Sequence, residues 1–152
     1  MVDGILPKRL ERAITGVLFV SLVLSLVGVG YVATIEPVEP ESFTEFYILG
    51  PGGNATDYPT NLTVDETGSV IVGISNHENE DLTYTVLFEL DNTTVATNAI
   101  TVGDGETREE LMSFTPESPG RQRLRILLYV GTEADTTTEP YRNLRLWVNV
   151  SA

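Results

Sequence analysis

The 152-residue chain has no cysteine, one histidine, one lysine and one tryptophan. Without cysteine there are no disulfide staples, no thiol nucleophile and no thiolate metal ligand. His77 has no second histidine to complete an ordinary zinc site. The segment around it, residues 76–81, lacks the ligand order of an EF-hand loop and reads as a solvated turn. Gly73-Ile74-Ser75-Asn76-His77 departs from G-x-S-x-G at its last position. Phosphate loops and dinucleotide fingerprints are also missing. Twenty acids beyond residue 35 offer too many carboxylate pairs for any one to be nominated as catalytic. A non-enzymatic protein with no metal and no cofactor is expected.

Positive charge is scarce as well. Nine Lys and Arg face 22 Asp and Glu, for a net charge of −13. Lys8, Arg9 and Arg12 outweigh Asp3 and Glu11 before residue 36, so everything after that point is strongly acidic. Such a surface repels nucleic acid and anionic lipid headgroups alike. Carboxylate richness with almost no lysine points to a high-salt organism, where the Debye length shrinks to about 3 Å at 1 M.

What the chain does have is one uncharged run, residues 13–35. As a helix at ~1.5 Å per residue its 23 positions span roughly 34 Å, enough to cross a bilayer core of about 30 Å. A signal peptide would have a shorter apolar region and a better small-residue cleavage site than Tyr31-Val32-Ala33-Thr34. A core helix would show a polar face, and only Thr15, Ser21, Ser25 and Thr34 interrupt this one. Gly28 and Gly30 lack the spacing of a helix-dimer motif. The run is therefore expected to be a retained anchor in the cell membrane, crossing once. Basic residues precede it and Glu36, Glu39 and Glu41 follow, so residues 1–12 form a short cytoplasmic tail and the C-terminal part lies outside. Residues 36–42, with Pro37 and Pro40, read as an extended spacer of about 20 Å at ~3.1 Å per residue.

Beyond residue 43 the hydrophobic period changes to two. Strands are expected at 44–49, from 61, at 69–75, 82–90, 93–102, 106–114, 121–130 and 142–150, separated by Gly, Asp, Asn and Pro turns. Seven or eight short strands in about 110 residues, with no helical period between them, predict an all-β, immunoglobulin-like β-sandwich over 43–152. A small barrel is the competing architecture. The expected core is Val70, Val72 and Ile74; Leu82, Tyr84, Val86 and Phe88; Leu124, Ile126 and Leu128; and Leu144, Leu146 and Val148.

Three blocks carry a resemblance. Phe43-Thr44-Glu45-Phe46-Tyr47-Ile48-Leu49-Gly50-Pro51, Tyr58-Pro59-Thr60-Asn61-Leu62-Thr63-Val64 and Val72-Gly73-Ile74-Ser75-Asn76-His77-Glu78 resemble an archaeal (haloarchaeal) membrane-protein family defined by a domain of unknown function. They fall within residues 43–90. The resemblance implies an archaeal envelope and an external sandwich, and supplies no catalytic or ligand-binding residue. Members typically place this domain after several membrane helices. This chain has one apolar run, so an activity housed in other helices does not carry over.

Two surface features remain. Asn54, Asn61, Asn92 and Asn149 each begin an Asn-x-Ser/Thr acceptor for N-glycosylation. Asn92, in an expected hairpin turn, is the most accessible, and Asn61, in a strand, is less so. The second feature is a basic stripe. With Leu124, Ile126 and Leu128 inward, alternation turns Arg121, Arg123, Arg125 and Tyr129 outward, and Arg145 and Trp147 likewise on the last strand. If these strands pair, the six share one face. It can dock an acidic protein or an envelope glycan, with Trp147 and Tyr129 as anchors. Alternatively it is a surface face paired across strands with Glu106, Glu109 and Glu110. The whole is read as a membrane-anchored envelope protein making protein or glycan contacts, such as an accessory subunit of a surface assembly. A pilin-like or stator-like filament component is the alternative, against which Pro37 and Pro40 interrupt the helix.

Overall fold

The computed structural model describes residues 7–34 and 40–152, with backbone only at 32–34. Residues 1–6 of the expected tail, and 35–39 at the junction of anchor and spacer, lie outside the described residues. The chain divides into two compact units, Met1–Pro40 and Glu41–Ala152.

In the first unit, helix α1 spans Lys8–Thr34. It starts directly after Pro7, whose carbonyl accepts the N–H groups of Leu10 (2.8 Å) and Glu11 (3.2 Å). Proline suits a helix start because its missing N–H would have no partner there. The helix therefore begins five residues before the uncharged run, since Lys, Arg, Leu and Glu are all good helix formers. Thr15 and Ser25 donate their hydroxyls to the carbonyls of Glu11 and Ser21, both at 2.9 Å. Polar atoms on an apolar helix are satisfied internally in this way. The stretch Lys8–Tyr31 is long and apolar enough to cross a membrane. It is a candidate span; a signal sequence near an N-terminus meets the same criterion.

In the second unit eight strands form: β1 (Phe43–Leu49), β2 (Asn61–Thr63), β3 (Gly68–His77), β4 (Leu82–Leu90), β5 (Thr93–Val102), β6 (Thr107–Phe114), β7 (Gly120–Val130) and β8 (Arg142–Ser151). They build a three-stranded sheet, β1-β3-β6, and a five-stranded sheet, β2-β8-β7-β4-β5. All neighbours are antiparallel except β2, which runs parallel to β8. The β4–β5 connection is a two-residue turn in which Asp91 (φ 46°) and Asn92 (φ 68°) both take the left-handed region. That geometry matches the twist of a hairpin, and Asx residues tolerate it best after glycine. A bulge then shifts the register between Phe88 and Glu89.

One apolar cluster joins the inner faces of both sheets. Ten of the thirteen expected core residues are buried within it, and Leu82, Leu144 and Leu146 pack against it half-buried. Phe88 of the larger sheet meets Phe114 of the smaller edge-to-face at 6.3 Å. Leu62, Leu90, Ile100, Val102, Met112, Phe114 and Val150 complete the core. Register fixes the two ends of each sheet, and the Thr44–Tyr84 and Asn76–Val102 bonds between sheets match them into two poles. Phe43, His77, Leu82, Val102, Thr107, Val130 and Arg142 gather at one; Leu49, Gly68, Leu90, Thr93, Phe114, Gly120 and Ser151 gather at the other.

Candidate docking face

The basic stripe depends on β7 and β8 lying side by side, and they do. Arg121 is opposite Asn149, Arg123 opposite Trp147, and Arg125 opposite Arg145. Alternation puts these side chains on the outer face of the five-stranded sheet, away from Leu124, Ile126 and Val148. Arg121 stacks over the Trp147 ring at 4.6 Å, a cation–π contact that leaves Trp147 45% exposed. Arg125 and Arg145 form a like-charge pair directly across the two strands, an arrangement that costs stability. Arg125 is relieved on its other side by Glu89 of β4, at 2.9 Å. Arg123 and Arg145 make no ion pair among the described residues, although residues 41–152 hold eighteen acids against six arginines.

Two expectations about this face need correction. Tyr129 has the outward parity of its strand but is only 6% exposed. With Leu87 and Leu127 it forms a second small cluster, covered by Ala134 of the β7–β8 connection. That connection is tied down by Thr85 Oγ1 donating to the Gly131 carbonyl (2.8 Å) and Tyr141 N–H to the Leu128 carbonyl (2.8 Å). Burial pushes the Tyr129 phenol above its usual pKa. It is therefore no surface anchor. The proposed carboxylate partners also fall elsewhere: β6 lies in the other sheet. There Glu106 pairs with Arg108 (3.6 Å), Glu109 accepts the Tyr47 hydroxyl (2.8 Å) and Glu110 accepts Asn98 Nδ2 (2.7 Å). Glu89, the carboxylate that does pair, has the outward parity of β4, but only the register of β4 against β7 brings it opposite Arg125.

All four acceptor asparagines are exposed. Asn54 lies in the loop after β1, Asn92 in the β4–β5 turn, and Asn61 and Asn149 are partners across β2 and β8. His77 ends β3, where it stacks on Phe43 at 4.7 Å and meets Ser75 Oγ at 3.2 Å. No group of three or more metal-binding side chains occurs among the described residues.

Sequence reasoning missed a polar node at the Phe43 pole. Asn76, expected in a solvated turn, is fully buried at the end of β3. Its Nδ2 donates to the carbonyls of Glu80 (2.7 Å) and Val102 (2.9 Å), and its Oδ1 accepts the Glu78 N–H (2.9 Å). Beside it, Thr44 Oγ1 donates to Glu78 (2.7 Å) and lies 2.8 Å from the hydroxyl of the buried Tyr84. Glu78 also accepts from Tyr141. These bonds, Tyr141 first and Thr44 second, hold the Glu78 carboxyl below its usual pKa. At the other pole a cleft of about 500 Å³ opens between β5 and β6. It is lined by hydroxyls and by the buried Gln122, which is already bonded to Ser118.

The family described as "Domain of unknown function (DUF1616)" matches residues 37–149. The chain belongs to that family. Among curated proteins no sequence matches it. Among solved structures, the CARDB domain of a Pyrococcus furiosus protein, determined in complex with di-metal ions, is similar over 72% of this chain and 93% of that one, at 14% identity and a TM-score of 0.52. A Listeria innocua beta-glucosidase in complex with glucose is similar over 73% of this chain, at 15% identity and a TM-score of 0.55. The match covers only 16% of that enzyme. At such identities the likeness is one of fold. This DUF1616 domain has the CARDB-like, β-sandwich fold, behind an N-terminal apolar helix.

Proposed function

We propose that this DUF1616 protein is a non-enzymatic, membrane-anchored docking module, with residues 1–12 in the cytoplasm and the β unit outside the cell. The outer face of β7 and β8 binds an acidic partner, a protein or an envelope glycan, through Arg121, Arg123, Arg145 and Trp147. One observation carries this reading. In a unit with a threefold excess of acids, Arg145 is set directly against Arg125, and among the described residues neither Arg145 nor Arg123 is given a carboxylate. Folding alone gains nothing from that arrangement, whereas an anionic ligand gains bidentate guanidinium donors around an exposed, cation-stacked indole. Tyr129 has no part in the contact.

The test is site-specific photo-crosslinking in intact native membranes. A photoreactive tryptophan analogue at position 147, which keeps the indole, is expected to yield a discrete adduct that disappears in the Arg123→Glu/Arg145→Glu double variant. The same reagent at Leu111, exposed on the opposite sheet, is expected to yield none. An adduct at 147 that survives both charge reversals, or no adduct at all, defeats the reading. Protease added to whole cells tests the orientation: the β unit is expected to be degraded.

A further inference from the structure

The four glycosylation acceptors are scattered over 96 positions of sequence, from Asn54 to Asn149, yet the fold delivers all of them to the Leu49 pole. Asn54 follows the end of β1, and Asn92 follows the end of β4. Asn149 lies two residues from the end of β8 at this pole, and Asn61, which opens β2, is its partner. The opposite pole has its own exposed, positive-φ turn asparagine, Asn79 (φ 64°), but Glu80-Asp81 follows it and no acceptor motif exists there.

Two acceptors are closer still. Asn61 and Asn149 are Cα partners in the parallel β2–β8 pair, both exposed, beside the buried pair Leu62 and Val150. Adjacent strands are about 4.8 Å apart. A pyranose with its substituents is wider than that gap, so a sugar on one asparagine covers the amide of the other. We infer that the Leu49 pole is N-glycosylated and that Asn61 and Asn149 are alternative acceptors, only one of which carries a glycan in any molecule.

In the reaction the asparagine Nδ2 attacks the anomeric carbon of a phospholipid-linked oligosaccharide held by a membrane transferase. The N–C bond forms, the bond from that carbon to the phosphate oxygen breaks, and the lipid phosphate leaves with the electron pair. The amide nitrogen loses one proton to the transferase. The choice of acceptor has a consequence for the docking face. Asn149 shares a row with Arg121 and is two residues from Trp147 on the same side of β8. A glycan on Asn149 covers that end of the face, and a glycan on Asn61, at the sheet edge, leaves it open.

The experiment is intact-mass and glycopeptide analysis of the full chain purified from its own membranes. Glycan is expected at Asn54 and Asn92, with occupancies at Asn61 and Asn149 that sum to no more than one. Asn61→Gln is expected to raise occupancy at Asn149. Conversely, Asn149→Gln, or Ser151→Ala, which removes the motif but keeps the asparagine, should raise it at Asn61. Molecules glycosylated at both positions overturn the inference, and so does a chain with neither modified. Failure here leaves the docking reading standing, because the crosslinking test turns on the arginine reversals and does not require any glycan.

Discussion

Gly73 shows how tightly one position can be specified. Tyr47 of β1 lies across it, and a Cβ at Gly73 would stand 2.1 Å from the Tyr47 ring. This is an aromatic side chain covering a strand glycine, with the phenol continuing to Glu109 on β6. Tyr47 thereby bridges the whole three-stranded sheet, and burial, ahead of its bond to Glu109, raises its pKa. Gly73→Ala is expected to lose about 1–3 kcal/mol in chemical denaturation, by overpacking and loss of that hydrogen bond. Added to Tyr47→Ala it should cost much less than it does alone; equal costs in both backgrounds would show that the ring is not the obstacle. Asn76 is a second such position. Asn76→Ala removes a partner of the buried Val102 carbonyl and frees the Glu80 carbonyl and the Glu78 N–H, so a loss of about 1–3 kcal/mol is expected.

The Glu78 node extends the same logic to pH. Its carboxyl titrates below the usual value of about 4.3 because Tyr141 and Thr44 donate to it. A depressed folded pKa contributes stability that is present above the unfolded pKa and is lost as pH falls through the folded one. Tyr84 and Tyr141 are shifted the other way, by burial and by the bond to Glu78 respectively. Their contribution is full below about pH 10 and is lost as pH rises beyond it. Melting temperature against pH should therefore fall on both flanks. Glu78→Gln should flatten the acid flank specifically; an unchanged acid flank in that variant would mean other carboxylates control it.

At the scale of elements, β7 and β8 carry opposing demands. Replacing Arg145 by valine removes the like-charge pair with Arg125 and substitutes a residue that suits strands. The isolated protein is expected to gain roughly 0.2–1 kcal/mol while its crosslink at position 147 weakens. A variant losing both stability and adduct would indicate that Arg145 is there for the fold. The strands themselves were legible, because alternation and Gly, Asn and Pro punctuation are local signals. Alternation also assigned every expected core residue to the inner side. It could not show which strands pair, since register is decided between segments far apart in sequence. That is why Glu106, Glu109 and Glu110 were matched to arginines of the other sheet, and why Glu89 went unnoticed. Nor does parity reveal what lies on top of a sheet: Tyr129 points outward and is covered by residues 131–141. Asn76 was misplaced for a related reason, because a polar residue next to a turn looks solvated until its partners on distant strands are known.

For the molecule as a whole, salt should act with opposite signs on folding and docking. Six arginines among eighteen acids leave residues 41–152 strongly negative, so self-repulsion outweighs the few ion pairs. Raising NaCl from 0.1 to 1 M shortens the Debye length from about 10 to about 3 Å. A chain trimmed to residues 41–152, which holds the entire core, is expected to fold alone and to melt at a higher temperature as salt increases. Attraction between the arginine face and an acidic partner weakens over the same range, because steering at a distance is screened first. A complex that persists at 1 M must then rest on groups in contact, where screening has little reach: the Trp147 ring and guanidiniums bonded directly to the ligand. Adduct yield at high salt should accordingly fall far more with Trp147→Ala than with Arg145→Val, both crosslinked from a neighbouring position such as 149, while at low salt the two variants converge. The reverse order would make the face a long-range electrostatic guide with no anchoring indole.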